Sequence, residues 1–362
     1  MLAQQLTLEL DVTRLWLAFT YPGAHKRLAG DLPVDQHRQV PWHQIGRPRL
    51  SAINTLWVVL KRGPDDLLVA EAERVLQHPL VEDDTISSLN SAIAVLVYAD
   101  RLESAAAWCG RLQTAATERH ASTWNALFTS TRALIALRRG SLRCAAEAAE
   151  GALRSMSVEA WGVEIGLPLA TAIEARAAMR DHAASAELVN SPVPPGLFET
   201  RFGLHYLYAR GRHYLATGYY DAALADLIEC GEKAQEWDLD SPTLAPWRTG
   251  AVEVWLQRGQ RERASRLADE HLALVKRGRR RTLGGGAAGP GHDAALVPAG
   301  GPAGHGGRHA ADRRGPLRAG PDPGSSCAAR TSSRARPRRP GCWSGKRGGW
   351  PARAVPRGCA PR

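Results

Sequence analysis

The side chains of this chain that could bind a ligand or transfer protons concentrate in the stretch TRFGLHYLYARGRHYLATG, residues 200–218. On a helix, Arg201, His205, Tyr208 and Arg212 form one stripe at spacings of four, three and four. Guanidinium groups bind carboxylates or phosphates in a bidentate manner, and a tyrosine ring offers a rigid amphipathic face. The stripe is therefore a candidate partner-binding surface. The alternative is packing between helices, with the His and Tyr side chains hydrogen-bonded to neighbouring turns.

These residues do not form a catalytic arrangement. His205 and Tyr208 have no Ser, Cys or carboxylate at a spacing that pairs a nucleophile with its base. The six cysteines include no CxxC motif. We therefore expect no enzymatic activity, no cofactor and no bound metal.

Other conspicuous residues have structural interpretations. The Pro-punctuated stretch LDSPTLAPWR, with Asp240, Ser241, Trp247 and Arg248, predicts a turn between repeats rather than a ligand contact. Three cysteines lie in Ala-rich helical patterns, where a thiol acts as a small buried hydrophobe; they are Cys109, Cys144 and Cys230. Free thiols fit a reducing compartment.

The helices that must position the stripe follow a repeating pattern. Helical patterns are interrupted at spacings of 37, 40, 41, 37 and 41 residues by Gly63, Asp100, Gly140, Asp181, Gly218 and Gly259. Gly and Asp tolerate the left-handed backbone that closes a short turn between helices. Five residues after the last five interruptions stand Ala105, Ala145, Ala186, Ala223 and Ala264, which would let two helices cross closely.

This pattern predicts an all-α chain built as a tetratricopeptide-like α-solenoid of antiparallel helix pairs, followed by a disordered basic tail. Residues 1–47 form an irregular N-terminal segment with one helix over about 2–20. Residues 48–276 form the helical-repeat solenoid, and residues 277–362 form the tail. The N-terminus has no signal-peptide pattern and no run of 18 apolar residues occurs, so we expect a cytoplasmic protein without a membrane partner.

The positive charge of the chain is confined to its C-terminal part. The net charge is +11 overall, but residues 276–362 carry +16 and the rest carries −5. The tail is dominated by Arg, Gly, Pro and Ala, which cannot bury enough apolar surface to offset chain entropy. It is either a basic arm that contacts nucleic acid non-specifically or the out-of-frame translation of a GC-rich message.

Several stretches of the body together resemble one known family. They are VYADRLESAAAWCGRL (97–112), WGVEIGLPLA (161–170), residues 200–218, LDSPTLAPWR (239–248) and ASRLADEHLALV (264–275). They are similar to the helical-repeat region of the large ATP-binding LuxR-type (MalT-like) transcriptional regulators of actinobacteria. Such regulators also contain a P-loop ATPase and a helix-turn-helix, and this sequence has no G-x-x-x-x-G-K-[ST] motif and no paired helical pattern in its tail.

The resemblance implies a truncated relative that retains the sensor and coupling segment. That segment would bind a protein or a small effector in the groove of the solenoid and would not bind specific DNA. The competing hypothesis is a nucleic-acid-binding protein that acts through its basic C-terminal tail.

Overall fold

The computed structural model describes residues 2–23, 47–77 and 85–283 of the chain. Every regular element in these ranges is a helix, which confirms the predicted all-α class. The α-helices are α1 (Leu2–Thr20), α2 (Arg47–Arg62), α3 (Asp66–Gln77), α4 (Ile86–Tyr98), α5 (Leu102–Glu118), α6 (Ser122–Arg138), α7 (Leu142–Ser155), α8 (Val158–Trp161), α9 (Gly166–Ala178), α10 (His182–Val189), α11 (Arg201–Ala216), α12 (Tyr220–Glu236), α13 (Trp247–Gln257) and α14 (Arg261–Leu283). Short 3₁₀ helices span Gly162–Ile165 and Pro195–Glu199.

From α2 onward, most helices form hairpins whose two members are joined by three residues and pack on each other. Such a short connection makes the paired helices antiparallel. The hairpins are α2/α3, α4/α5, α6/α7, α9/α10, α11/α12 and α13/α14. The first helix of each hairpin also packs on the first helix of the next, so α2, α4, α6, α9, α11 and α13 form one layer, called here the inner layer.

The turns inside the hairpins explain the regular spacing. Positive φ angles occur at Gly63, Asp100, Gly140, Arg180, Gly218 and Gly259. In the last five turns, the amide after the left-handed residue donates to the carbonyl five residues earlier, at 2.8–2.9 Å. This hydrogen bond satisfies a carbonyl that the end of the helix would leave unpaired.

One predicted interruption is wrong by a single residue. Arg180, with φ of 62°, is the left-handed residue of the fourth turn, whereas Asp181 has a negative φ and begins the next helix. The Asp181 carboxylate accepts a hydrogen bond from the amide of Ala184 and forms an ion pair with Arg176. An N-cap carboxylate satisfies a backbone amide of the first helical turn, and this favours Asp at the N-cap over Asp at the left-handed position.

The same shift changes which small residue lies at the crossing of the fourth hairpin. Fully or almost fully buried small residues lie five positions after each of the last five left-handed residues: Ala105, Ala145, Ser185, Ala223 and Ala264. The sequence predicted Ala186 in place of Ser185, but Ala186 is only half-buried. The Ser185 hydroxyl donates to the carbonyl of Ile173 and lies 2.8 Å from His213 Nδ1, which ties α10 to α9 and α11.

Other boundaries and exposures differ from or extend the sequence-based expectations. Helix α14 continues to Leu283, seven residues past the predicted end of the repeats. Residues 284–362 lie outside the described residues, so the disordered tail stays a prediction.

Cys109 and Cys230 are buried, whereas Cys144 is exposed because it lies on the outer side of α7. None of the helices in the described ranges has the length and apolarity needed to cross a membrane.

Candidate partner-binding surface on helix α11

Helix α11 carries the predicted stripe and is held in place on both sides by close backbone contacts. The Thr200 side chain accepts a hydrogen bond from the amide of Gly203 and so caps the helix. A Cβ atom at Gly203 would lie 2.4 Å from the carbonyl oxygen of Leu197, and one at Gly211 would lie 2.8 Å from Leu227 Cγ. Both positions therefore require glycine, and Gly211 permits the close helix approach that the sequence predicted.

A buried ion pair fixes α11 against its hairpin partner α12. Arg210 Nε and Nη2 each lie 2.7 Å from a carboxylate oxygen of Asp226. Asp226 is buried, so removal of Arg210 would leave an unpaired carboxylate in an apolar environment. The bidentate geometry restricts rotation and sliding of the two helices relative to each other.

Arg201, the first residue of the stripe, lies between two phenyl rings. The centre of its guanidinium group is 4.2 Å from the ring centroid of Phe19 on α1 and 4.0 Å from that of Phe202. Burial lowers the pKa of Arg201, and the charges of Tyr98 and Glu164 oppose this effect. Within the described residues, Arg201 forms no ion pair, and its Nε atom has no hydrogen-bond partner.

His205 is buried and faces α4. Its Nε2 atom lies 3.0 Å from the hydroxyl of Tyr98, and the two rings are nearly parallel. Burial, with a further contribution from the positive charges of Arg201 and Arg138, lowers the pKa of His205 to about 3. The imidazole is therefore neutral at physiological pH.

The other half of the stripe lies among carboxylates. Arg212 Nη1 is 2.7 Å from Glu253 Oε1 on α13. Burial raises the pKa of Tyr208, and the negative charge of Glu174 raises it further. Burial also raises the pKa of Glu174 to about 7, although Arg212 and Arg138 oppose the effect. The stripe therefore divides into a half with the cation Arg201 and the neutral His205, and a half in which Arg212 is paired with Glu253 beside Tyr208.

Sequence reasoning missed Glu174 and Glu253, which accompany the stripe, although a signal that links both of them to Arg212 is present. Glu174, Arg212 and Glu253 each lie six residues before the left-handed residue of their own hairpin. If Asp181 is taken as the left-handed residue, Glu174 lies seven residues before it, and its equivalence to Arg212 and Glu253 is not apparent. With Arg180 as the reference, the three residues form a Glu–Arg–Glu row across α9, α11 and α13, called here the charge row.

The loop between α12 and α13 is held by its own side chains. Asp240 accepts two hydrogen bonds from Arg248, at 2.6 and 2.7 Å, and one from Trp247 Nε1 at 3.1 Å. Arg138 on α6 donates to the carbonyl of Thr243 in this loop. These contacts favour the predicted role as a turn between repeats, since the polar groups of Asp240 are occupied within the loop.

No family model matches this chain, and no curated protein does. The function of the protein is therefore inferred from the geometry of α11 and its neighbours. Among the residues described, no three His, Cys, Asp or Glu side chains come together as ligands of one metal ion would. The buried Tyr98 and Tyr206 form hydrogen bonds with His205 and with the carbonyl of Val189, respectively.

Proposed function

We propose that residues 48–276 form a tetratricopeptide-like α-solenoid that acts as a regulatory protein-interaction module without enzymatic activity. The order of the hairpins supports this proposal. Six hairpins with connections of equal length pack one after another, and their first helices share one layer. In solenoid proteins such a layer lines the concave surface that binds extended partners.

The observation that carries the proposal is the charge row across the inner layer. Arg212 and Glu253 are paired yet still about a third exposed, with side-chain exposures of 32% and 41%. Glu174 is half-buried beside them. The row places carboxyl, guanidinium and carboxyl groups on consecutive repeats, and this pattern is suited to a partner segment with the complementary pattern, because electrostatic complementarity fixes register and specificity.

The proposed parent class follows from the resemblance to LuxR-type ATP-binding regulators. In a regulator of this class, the present chain would correspond to the sensor and coupling segment. The same proposal implies a cytoplasmic location.

The experiment is a capture assay with the full chain immobilised. Proteins retained from a lysate of the source cells are identified by mass spectrometry, purified and titrated against the wild type and two charge-row variants, Arg212→Gln and Glu174→Gln. We expect at least one partner whose affinity falls about tenfold in the charge-row variants. Arg143→Gln, which removes an exposed charge from the outer helix α7, is the matched control and is expected to bind normally.

Two results would contradict the proposal. One is that no protein binds the chain at micromolar concentration. The other is that every captured partner binds the charge-row variants and the Arg143→Gln control equally, which would place the interaction elsewhere on the molecule.

The second candidate function is nucleic-acid binding through the C-terminal tail, and the +16 charge of residues 276–362 supports it. Phosphate contacts of this kind depend steeply on salt. If the tail binds nucleic acid, the affinity of the full chain for duplex DNA falls by orders of magnitude between 50 and 200 mM salt, and a chain ending at Leu283 loses this affinity. Equal DNA affinity of the two chains would exclude the tail as the binding element.

A further inference from the structure

A cavity opens beside Arg201, between α1 and the inner layer. Its lining combines the aromatic rings of Phe19 and Phe202 with polar groups from α4 and from the 3₁₀ helix before α9, including Ser91 and Glu164. The empty space between these side chains is about 600 Å³ when the open mouth is included. Within it, the centre of a water molecule can occupy a volume of about 40 Å³. One water molecule needs about 10–15 Å³ of such volume, so the cavity has room for about three or four groups of the size of water.

Among the described residues, the charge at the cavity wall has no ion-pair partner. The Arg201 guanidinium is packed between Phe19 and Phe202, and no carboxylate of the described residues lies within ion-pair distance. Its Nε atom has no acceptor. Arg201 is partly buried, and a cation in this setting without an ion-pair partner among the described residues favours the entry of an anion that can accept its hydrogen bonds.

Glu164, the carboxyl group in the cavity lining, does not fill this role. It interacts electrostatically with Arg201 but forms no ion pair with it, and burial raises the pKa of Glu164 in spite of the Arg201 charge. Ser91 lines the same cavity, and its hydroxyl donates a hydrogen bond to the carbonyl of Ser87 at 2.7 Å.

From the size of the cavity and the unpaired guanidinium, we propose that this cavity binds a small carboxylate anion of about the size of acetate. The two carboxylate oxygens would accept hydrogen bonds from Arg201, and the short alkyl group would contact the phenyl rings. Such an anion would be the effector class to which the module responds; this regulatory part rests on the proposed function. Because the cavity lies where α1, α4 and α11 meet, occupancy would hold α1 against the inner layer.

The test compares acetate with its uncharged isostere acetamide on the full chain, by ligand-observed NMR at constant ionic strength. We expect acetate to bind with a dissociation constant of about 1–10 mM, within the limit for a ligand of so few atoms. Acetamide should bind at least tenfold more weakly. Arg201→Gln should abolish acetate binding, and Arg143→Gln should retain it.

A second variant keeps the test decisive if Arg201→Gln does not fold. Ala94 lines the cavity, so Ala94→Leu fills the space while leaving Arg201 in place. We expect this variant to keep the circular dichroism spectrum of the wild type and to lose acetate binding. Equal binding of acetate and acetamide, or acetate binding that survives both substitutions, would overturn the site.

The regulatory part has a separate readout. The affinity of a captured partner is measured with and without 20 mM acetate, and a shift of threefold or more that is absent in Ala94→Leu would support an effector role. Acetate binding without any shift would reject that role and leave the interaction module intact. Partner capture without acetate binding would reject the cavity site alone.

Discussion

Arg212 Nη1 lies 2.7 Å from Glu253 Oε1, and the two residues occupy the same position of consecutive hairpins, six residues before Gly218 and Gly259. The contact therefore joins equivalent points of two repeats. Glu174 extends the row to a third hairpin, where Arg212 and Arg138 act on it electrostatically. Side chains that are about 40 residues apart in sequence become neighbours because the inner helices pack side by side.

Glu174 should make the stability of the fold decrease as pH rises. Its carboxyl group has a pKa raised from 4.5 to about 7 in the folded chain, so between these values the unfolded state binds fewer protons and the free energy of unfolding falls with pH. Relative to the wild type, Glu174→Gln should gain at most about 3 kcal/mol between pH 4.5 and pH 8. Urea unfolding followed by tryptophan fluorescence measures the difference. Glu147→Gln, an exposed control on α7, should follow the wild-type pH dependence.

His205 should have the opposite effect at acidic pH. Its pKa is lowered from 6.5 to about 3 in the folded chain, so the unfolded state binds more protons between these values and stability falls as pH decreases below 6.5. His205→Gln removes this proton uptake. The variant should therefore gain about 2 kcal/mol relative to the wild type between pH 7 and pH 5. If the free energy of unfolding of the variant follows that of the wild type from pH 7 to pH 5, His205 is accessible to protons in the folded chain. The control is His120→Asn, which changes an exposed histidine.

The fourth turn can be tested by two adjacent glycine substitutions. Arg180 is exposed and has a left-handed backbone, which costs about 1 kcal/mol in a residue with a side chain, so Arg180→Gly should stabilise the protein by about that amount. Asp181→Gly should destabilise it by about 1 kcal/mol or more, because it removes the helix cap and the ion pair with Arg176. Thermal unfolding distinguishes the two. If Arg180→Gly instead destabilised the protein and Asp181→Gly stabilised it, Asp181 would be the left-handed residue of the turn.

Two glycines inside helices should respond in opposite directions to alanine. Gly203→Ala places a methyl group 2.4 Å from the carbonyl of Leu197, and the backbone must shift, so we expect a loss of about 3 kcal/mol or failure to fold. A Cβ at Gly151 in α7 meets no atom within 4 Å. Gly151→Ala should therefore stabilise the protein by about 0.5–1 kcal/mol through the better helix propensity of alanine. Equal effects in chemical denaturation would contradict the close packing at the start of α11.

Much of the fold is encoded locally. The helical periodicity and the residues that interrupt it predict the all-α class, and Gly63, Gly140, Gly218 and Gly259 adopt the left-handed backbone expected of them. These features depend on the backbone preference of single residues and on hydrogen bonds within a few residues. The fourth interruption was misplaced because Asp suits either a turn or a helix N-cap, and its neighbours decide between the two roles.

The environment of the stripe depended on contacts that are distant in sequence. The sequence by itself determined that Arg201, His205, Tyr208 and Arg212 lie along one side of a helix. Only the tertiary structure decided that His205 faces Tyr98, that Arg201 lies between Phe19 and Phe202, and that Arg212 pairs with Glu253. The physical reason is that charge, desolvation and accessibility depend on which helices pack together, and the periodicity of a single helix does not contain that information.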